Sequence, residues 1–179
     1  MTHDLKHHWG WFLVLGIALV ILGTMAIYAS VYVTLLSMVF LGILLLIAAA
    51  FHLVGAFRGH EGGGFALNLL AFAVDVILGL LILRDPAASA AVITLLLAAF
   101  FLAGGIFRIF FALSDHLPNT VWVILNGLVN LGLGVLLILQ WPYSGLWFIG
   151  LCIGIDMIFR GWSWVMLGFA LRKIPQFAH

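Results

Sequence analysis

Charge is the scarcest property of this sequence. Of its 179 residues only 7% are Asp, Glu, Lys or Arg, against about 25% in a soluble domain. Hydrophobic residues make up 66%, and the mean hydropathy is +1.31. A core of this size cannot enclose so much apolar surface, so lipid rather than water is the main solvent. A formal net charge of +1 gives no electrostatic case for nucleic acid as a partner. Cysteine is nearly absent too. Cys152 stands alone inside an apolar run, which excludes an intramolecular disulfide, suggests no metal site and fits a buried, inert thiol. Enzyme signatures are missing: there is no Gly-x-Ser-x-Gly, no His-Glu-x-x-His and no Gly-x-x-x-x-Gly-Lys-Ser/Thr loop. Gly62-Gly63-Gly64 has no lysine after it and reads as a turn. Neither catalysis nor a cofactor is expected.

What the chain does contain is one stretch written three times. Gly55-Ala56-Phe57-Arg58, Gly105-Ile106-Phe107-Arg108 and Met157-Ile158-Phe159-Arg160 each lie at or near the end of a long apolar run, with the arginines 50 and 52 residues apart. Gly23, Gly79 and Gly134 recur at nearly the same period, 56 and 55 residues apart. Leu81-Ile82-Leu83 before Pro86 matches Leu137-Ile138-Leu139 before Pro142. A fixed period of this size marks an internal repeat.

Six apolar segments follow from the pattern, at about 9–29, 33–57, 65–83, 89–113, 120–140 and 145–170, each near the roughly 20 residues that cross a bilayer. Such runs, without alternation, are helices and not barrel strands. Pro86, Pro118 and Pro142 mark boundaries because proline cannot continue a helix at low cost. The first segment is too long for a signal-peptide core and carries the repeat's glycine, so it is expected to be retained. The expected fold is all-α: one transmembrane domain over residues 1–179, built as three tandem helical hairpins at approximately 9–58, 65–113 and 120–170.

Lys6, Arg58, Arg172 and Lys173 lie on the N-terminal side of this topology, with Arg108 near it, whereas the opposite loops hold only Arg84. The positive-inside bias then places both termini in the cytoplasm. Tyr28, Tyr32, Trp141 and Tyr143 at one boundary, and Trp9, Trp11 and Trp122 at the other, have the character of interfacial belts.

Glycines recur at sevens in Gly16 and Gly23, in Gly127 and Gly134, and in Gly154, Gly161 and Gly168. Seven residues is close to two helical turns, so each set forms a stripe on one face. Gly150 and Gly154 add a Gly-x-x-x-Gly pair. Small residues let helices approach closely in lipid. Gly150, Gly154, Gly161 and Gly168 are therefore a candidate packing interface, either within the chain or between the last helix and another subunit.

The rare polar residues inside the runs are the site candidates. Asp75 falls mid-helix, where a carboxylate must face protein, be paired or be protonated. The repeat aligns Asn130 with it, which would make a mixed polar layer if the copies share an axis. Asp156 and Arg160 are four apart, the spacing of an intrahelical ion pair. Arg108 shares Arg160's repeat position and completes the candidate intramembrane cluster of Asp75, Arg108, Asn130, Asp156 and Arg160. The plain alternative is that these are satisfied structural groups that fix helix packing. Asn68 and Asn126 suit interhelical hydrogen bonds. His52 reads as a hydrogen-bonded packing residue, although histidine is a side chain that can titrate between pH 5 and 8. His3, His7, His8 and His60 cluster near one side without metal-ligand spacing.

Three tandem hairpins, Trp9 and Trp11 ahead of the first run, Pro86 opening the fourth helix, the Gly-x-Phe-Arg ends and the Asp156-x-x-x-Arg160 step together resemble the HdeD-like membrane proteins over about Trp9 to Phe169. The first repeat departs from the pattern in lacking the proline, and the third has Met157 in place of glycine. The resemblance implies a bacterial inner-membrane protein associated with acid stress, and it brings no catalytic residues. Beside it, the residues leave two functions open. One is a non-catalytic packing or scaffold subunit, homo-oligomeric or part of a larger membrane complex. The other is a proton or small-solute pathway, or a pH sensor, that uses Asp75, Asp156 and Arg160.

Overall fold

The computed structural model describes residues 9–58, 62–114 and 120–173. They form α1 (Trp9–Tyr28), α2 (Ser30–Arg58), α3 (Gly62–Arg84), α4 (Pro86–Ser114), α5 (Thr120–Leu139) and α6 (Ser144–Lys173). Among the described residues there is no strand. All six helices are long and apolar enough to cross a membrane, which makes the chain an all-α, six-span membrane protein.

The expected starts of α2 and α4 fall three residues late because the turns before them are shorter than the sequence suggests. Ala29 alone separates α1 from α2. Ala29 N donates to Met25 O at 2.9 Å and Val33 N to Ala29 O at 3.0 Å, so helical bonding closes on both sides of it. Asp85 alone separates α3 from α4. Its Oδ1 accepts Ala88 N at 3.0 Å, an N-cap for a helix whose first residue, Pro86, needs no N–H. Between α5 and α6, Ser144 Oγ donates to Leu137 O at 2.8 Å and Trp141 Nε1 donates to Ala91 O at 3.2 Å.

The helices divide into two compact units, one made of the chain up to Val33 with the chain from Ile149 on, the other of Thr34–Phe148. In the first unit α1 runs antiparallel to α6, and glycine meets glycine. Gly16 opposes Gly161 and Gly23 opposes Gly154: a Cβ at Gly161 would lie 2.7 Å from Gly16 O, and one at Gly154 would lie 2.9 Å from Gly23 O. Gly168 faces Leu13 and Trp9, and Gly150 abuts the Ser30 carbonyl. Phe12 and Trp164 stack beside this seam at 5.4 Å. Within this unit Gly154, Gly161 and Gly168 of α6 pack against α1, and Gly150 packs against the first residue of α2.

In the second unit the same device joins α2 to α3 and α4 to α5. A Cβ at Gly79 would be 3.1 Å from Gly42 O, and one at Gly105 would be 2.8 Å from Gly127 O. Ala98, Leu137 and Phe148 form a buried cluster, with Leu97, Phe101 and Trp147 packed on it. These two glycine contacts join the second helix of one repeat to the first of the next. A one-residue link such as Ala29 or Asp85 is shorter than the roughly 2–5 residues of an αα-hairpin, whereas the segments after α2 and α4 have that length.

Thr94 is fully buried, and its hydroxyl has no hydrogen-bond partner among the described residues. An unmet buried hydroxyl costs about 1–3 kcal/mol. Thr94→Val is expected to raise resistance to detergent-titration unfolding by about 1 kcal/mol. A loss of the same size would show that the hydroxyl holds a bond.

Candidate functional site

Polar groups inside the spans group into pairs, each placed by the helix contacts above. In the second unit, the antiparallel α2 and α3 bring His52 and Asp75 together. Side chains lean toward their own helix N-terminus, so His52 leans toward the middle of the span and Asp75 leans back to meet it. His52 Nδ1 lies 2.8 Å from Asp75 Oδ2, with the ring N–H donating to the carboxylate. The Asp75 side chain is 16% exposed and that of His52 is 42% exposed. The carboxylate is thus the enclosed member and the imidazole is its cover. Asn68 stands about two turns earlier on α3, with its amide 3.6 Å from where a Cβ at Gly55 would be.

Arg108 of α4 donates from Nη1 to Asn126 Oδ1 of α5 at 3.0 Å, and both residues are exposed. Asn130, one turn further along α5, is half-buried. Among the described residues no hydrogen bond joins Asp75, Arg108 and Asn130 to one another. The mixed layer drawn from the repeat alignment is therefore not a bonded network: Asp75 is satisfied by His52 and Arg108 by Asn126.

In the first unit Arg160 Nε lies 2.7 Å from Asp156 Oδ2, the expected i, i+4 pair, with side chains 71% and 56% exposed. Asp156 is roughly 200° around the helix from Gly154, so the pair sits on the face of α6 turned away from α1. Its exposure is unusual for charges inside a span of this composition. His3, His7, His8 and His60 lie outside the described residues, as do Lys6 and the loop at 115–119.

Two pairings escape a reading of the sequence alone, His52 with Asp75 and Arg108 with Asn126. The signal for both was a short connection. Helices joined by a few residues are antiparallel neighbours, so a polar residue shortly before the loop faces one shortly after it.

A family profile matches the chain twice, over residues 14–84 and 73–139, and its description is a short repeat of unknown function, DUF308. The chain belongs to this family. The two DUF308 matches, which overlap at 73–84 and together cover most of the chain, support an internal repeat. No curated protein and no solved structure matches the chain. DUF308 membership thus brings the repeat without assigning a reaction or a ligand.

Proposed function

We propose that this DUF308 protein is an HdeD-type protein of the bacterial inner membrane. In this reading it is non-catalytic, serves acid or envelope stress, and works as a subunit of a homo-oligomer or of a larger membrane complex, with both termini in the cytoplasm. The exposed Asp156–Arg160 pair carries the reading. Charges at membrane depth are costly and as a rule face protein or a water-filled cavity, and this pair lies on a face of α6 that α1 leaves uncovered. A protein neighbour would cover it. The exposed Arg108–Asn126 bond supports the same conclusion. The topology rests on the basic residues Lys6, Arg58, Arg172 and Lys173 against Arg84 alone.

The test is subunit counting in lipid nanodiscs, by photobleaching or native mass spectrometry. The protein is expected to be multimeric, with Asp156→Ala/Arg160→Ala weakening association about tenfold, the scale of an interhelical polar contact. A monomeric parent protein, or a variant that assembles unchanged, removes the reading.

A second reading, a pH-responsive element, is favoured by the His52–Asp75 contact. In this reading a response to acid runs through the contact by which the pair links α2 to α3. Within the second unit the other charged residues of these helices and of α4 are Arg58, Arg84 and Arg108, and Arg108 is engaged by Asn126. In liposomes Asp75→Asn would abolish any pH-dependent behaviour, and an unchanged response in that variant removes this reading.

A further inference from the structure

Between α2, α3 and α4 of the second unit lies a groove of about 690 Å³, within the roughly 300–1,000 Å³ of ligand sites. Leu41 and Leu45 of α2, Leu78 and Ile82 of α3, and Val92 and Leu96 of α4 form its apolar wall. One end is different. Arg84 and Asp85, the residues at the α3–α4 turn, close it with both charges of opposite sign at the rim. Along α4 the groove runs from this turn to Leu96, roughly 16 Å at the helical rise, about one leaflet of a core of about 30 Å.

The two charges do not satisfy each other. Among the described residues Arg84 makes no ion pair, and Asp85 makes none either. One Asp85 oxygen, Oδ1, is used by the Ala88 N–H as the cap of α4, and the backbone carbonyl of Asp85 accepts from Ser89 Oγ at 2.9 Å. Oδ2 is left for another donor. A slot one leaflet long, apolar along its wall, with an arginine and an aspartate among the residues that line one end, complements a particular kind of amphiphile.

We propose that this groove seats a phospholipid with a phosphoethanolamine headgroup, one acyl chain lying along the apolar wall, the phosphate on Arg84 and the primary ammonium on Asp85. Arginine's planar fork matches phosphate oxygens in a bidentate way. Asp85 selects among headgroups. A net anionic lipid has the phosphate but no ammonium to offset the Asp85 charge, and a quaternary ammonium has no N–H to donate to Oδ2. The proposal needs only the membrane-spanning fold and stands apart from the acid-stress reading.

The test uses the full chain, delipidated in detergent, and native mass spectrometry with phosphatidylethanolamine, phosphatidylcholine and phosphatidylglycerol of identical acyl chains. Phosphatidylethanolamine is expected to bind about fivefold more tightly than the other two, the scale of one charged contact at a membrane surface. Arg84→Gln should weaken all three. Asp85→Asn keeps the cap of α4, because asparagine caps as well as aspartate, and should erase the preference over both other lipids. Ala88→Trp, which fills the groove, should abolish retention while circular dichroism stays unchanged. Equal binding of the three lipids, or full retention by Ala88→Trp, would overturn the assignment. Displacement by millimolar inorganic phosphate would also overturn it, in favour of a simple anion site.

Discussion

Gly161→Leu is expected to separate α1 from α6 and to be among the most damaging single substitutions in the chain. The obstacle is backbone. Around a Cβ at position 161 lie Gly16 O at 2.7 Å and Val20 N at 2.9 Å. Neither can swing aside as a side chain could, so the helices must part. In lipid no hydrophobic effect holds two apolar helices together, and close van der Waals packing is what remains. Losing it along a seam that repeats at Gly154 and Gly23 should cost about 3 kcal/mol, the upper part of the range for overpacking. Gly132→Leu is the control. Nothing lies within 4 Å of a Cβ there, and its stability should stay within about 0.5 kcal/mol of the parent. A direct readout is available as well. A Cβ built at Gly168 sits 3.4 Å from Leu13 Cβ, close to the roughly 3.5–4.5 Å of a disulfide. In a Cys152→Ser background, Leu13→Cys/Gly168→Cys should cross-link on mild oxidation, and adding Gly161→Leu should suppress the cross-link. Efficient cross-linking in the presence of Gly161→Leu would mean that the seam is not held by its glycines.

The same seam shows where the sequence is readable and where it is not. The six helices are legible because each apolar run must satisfy its own backbone in lipid, and this leaves one choice of secondary structure. The seven-residue spacing of Gly16 and Gly23, and of Gly154 and Gly161, is legible as a stripe on each helix. That these two stripes face each other is not, because α1 and α6 are at opposite ends of the chain and periodicity carries no information about which partner a stripe meets. The repeat aligns Asp75 with Asn130, but symmetry of backbone does not impose bonding between copies. A polar side chain bonds to what its own neighbour offers. For Asp75 that is His52 on α2, and for Arg108 it is Asn126 on α5. Asp156 and Arg160 were found from spacing alone because an i, i+4 contact needs only the helix, and no tertiary knowledge.

His52→Ala is expected to destabilise the α2–α3 contact by about 3 kcal/mol at neutral pH, the lower part of the range for leaving a buried charge without its partner. Asp75 is the enclosed member of the pair, 16% exposed, so removing the imidazole strips the carboxylate of its hydrogen bond and of its cover together. Asp75→Leu alone should cost less, since His52 is 42% exposed. His52→Leu/Asp75→Leu should recover most of the loss, as replacing both partners by apolar groups often does, giving a coupling of about 1–3 kcal/mol in the double-mutant cycle. Detergent-titration unfolding of the four proteins measures all of this. A coupling indistinguishable from zero would make the 2.8 Å contact a packing neighbour without electrostatic consequence, and would remove the physical basis for acid sensing at this position.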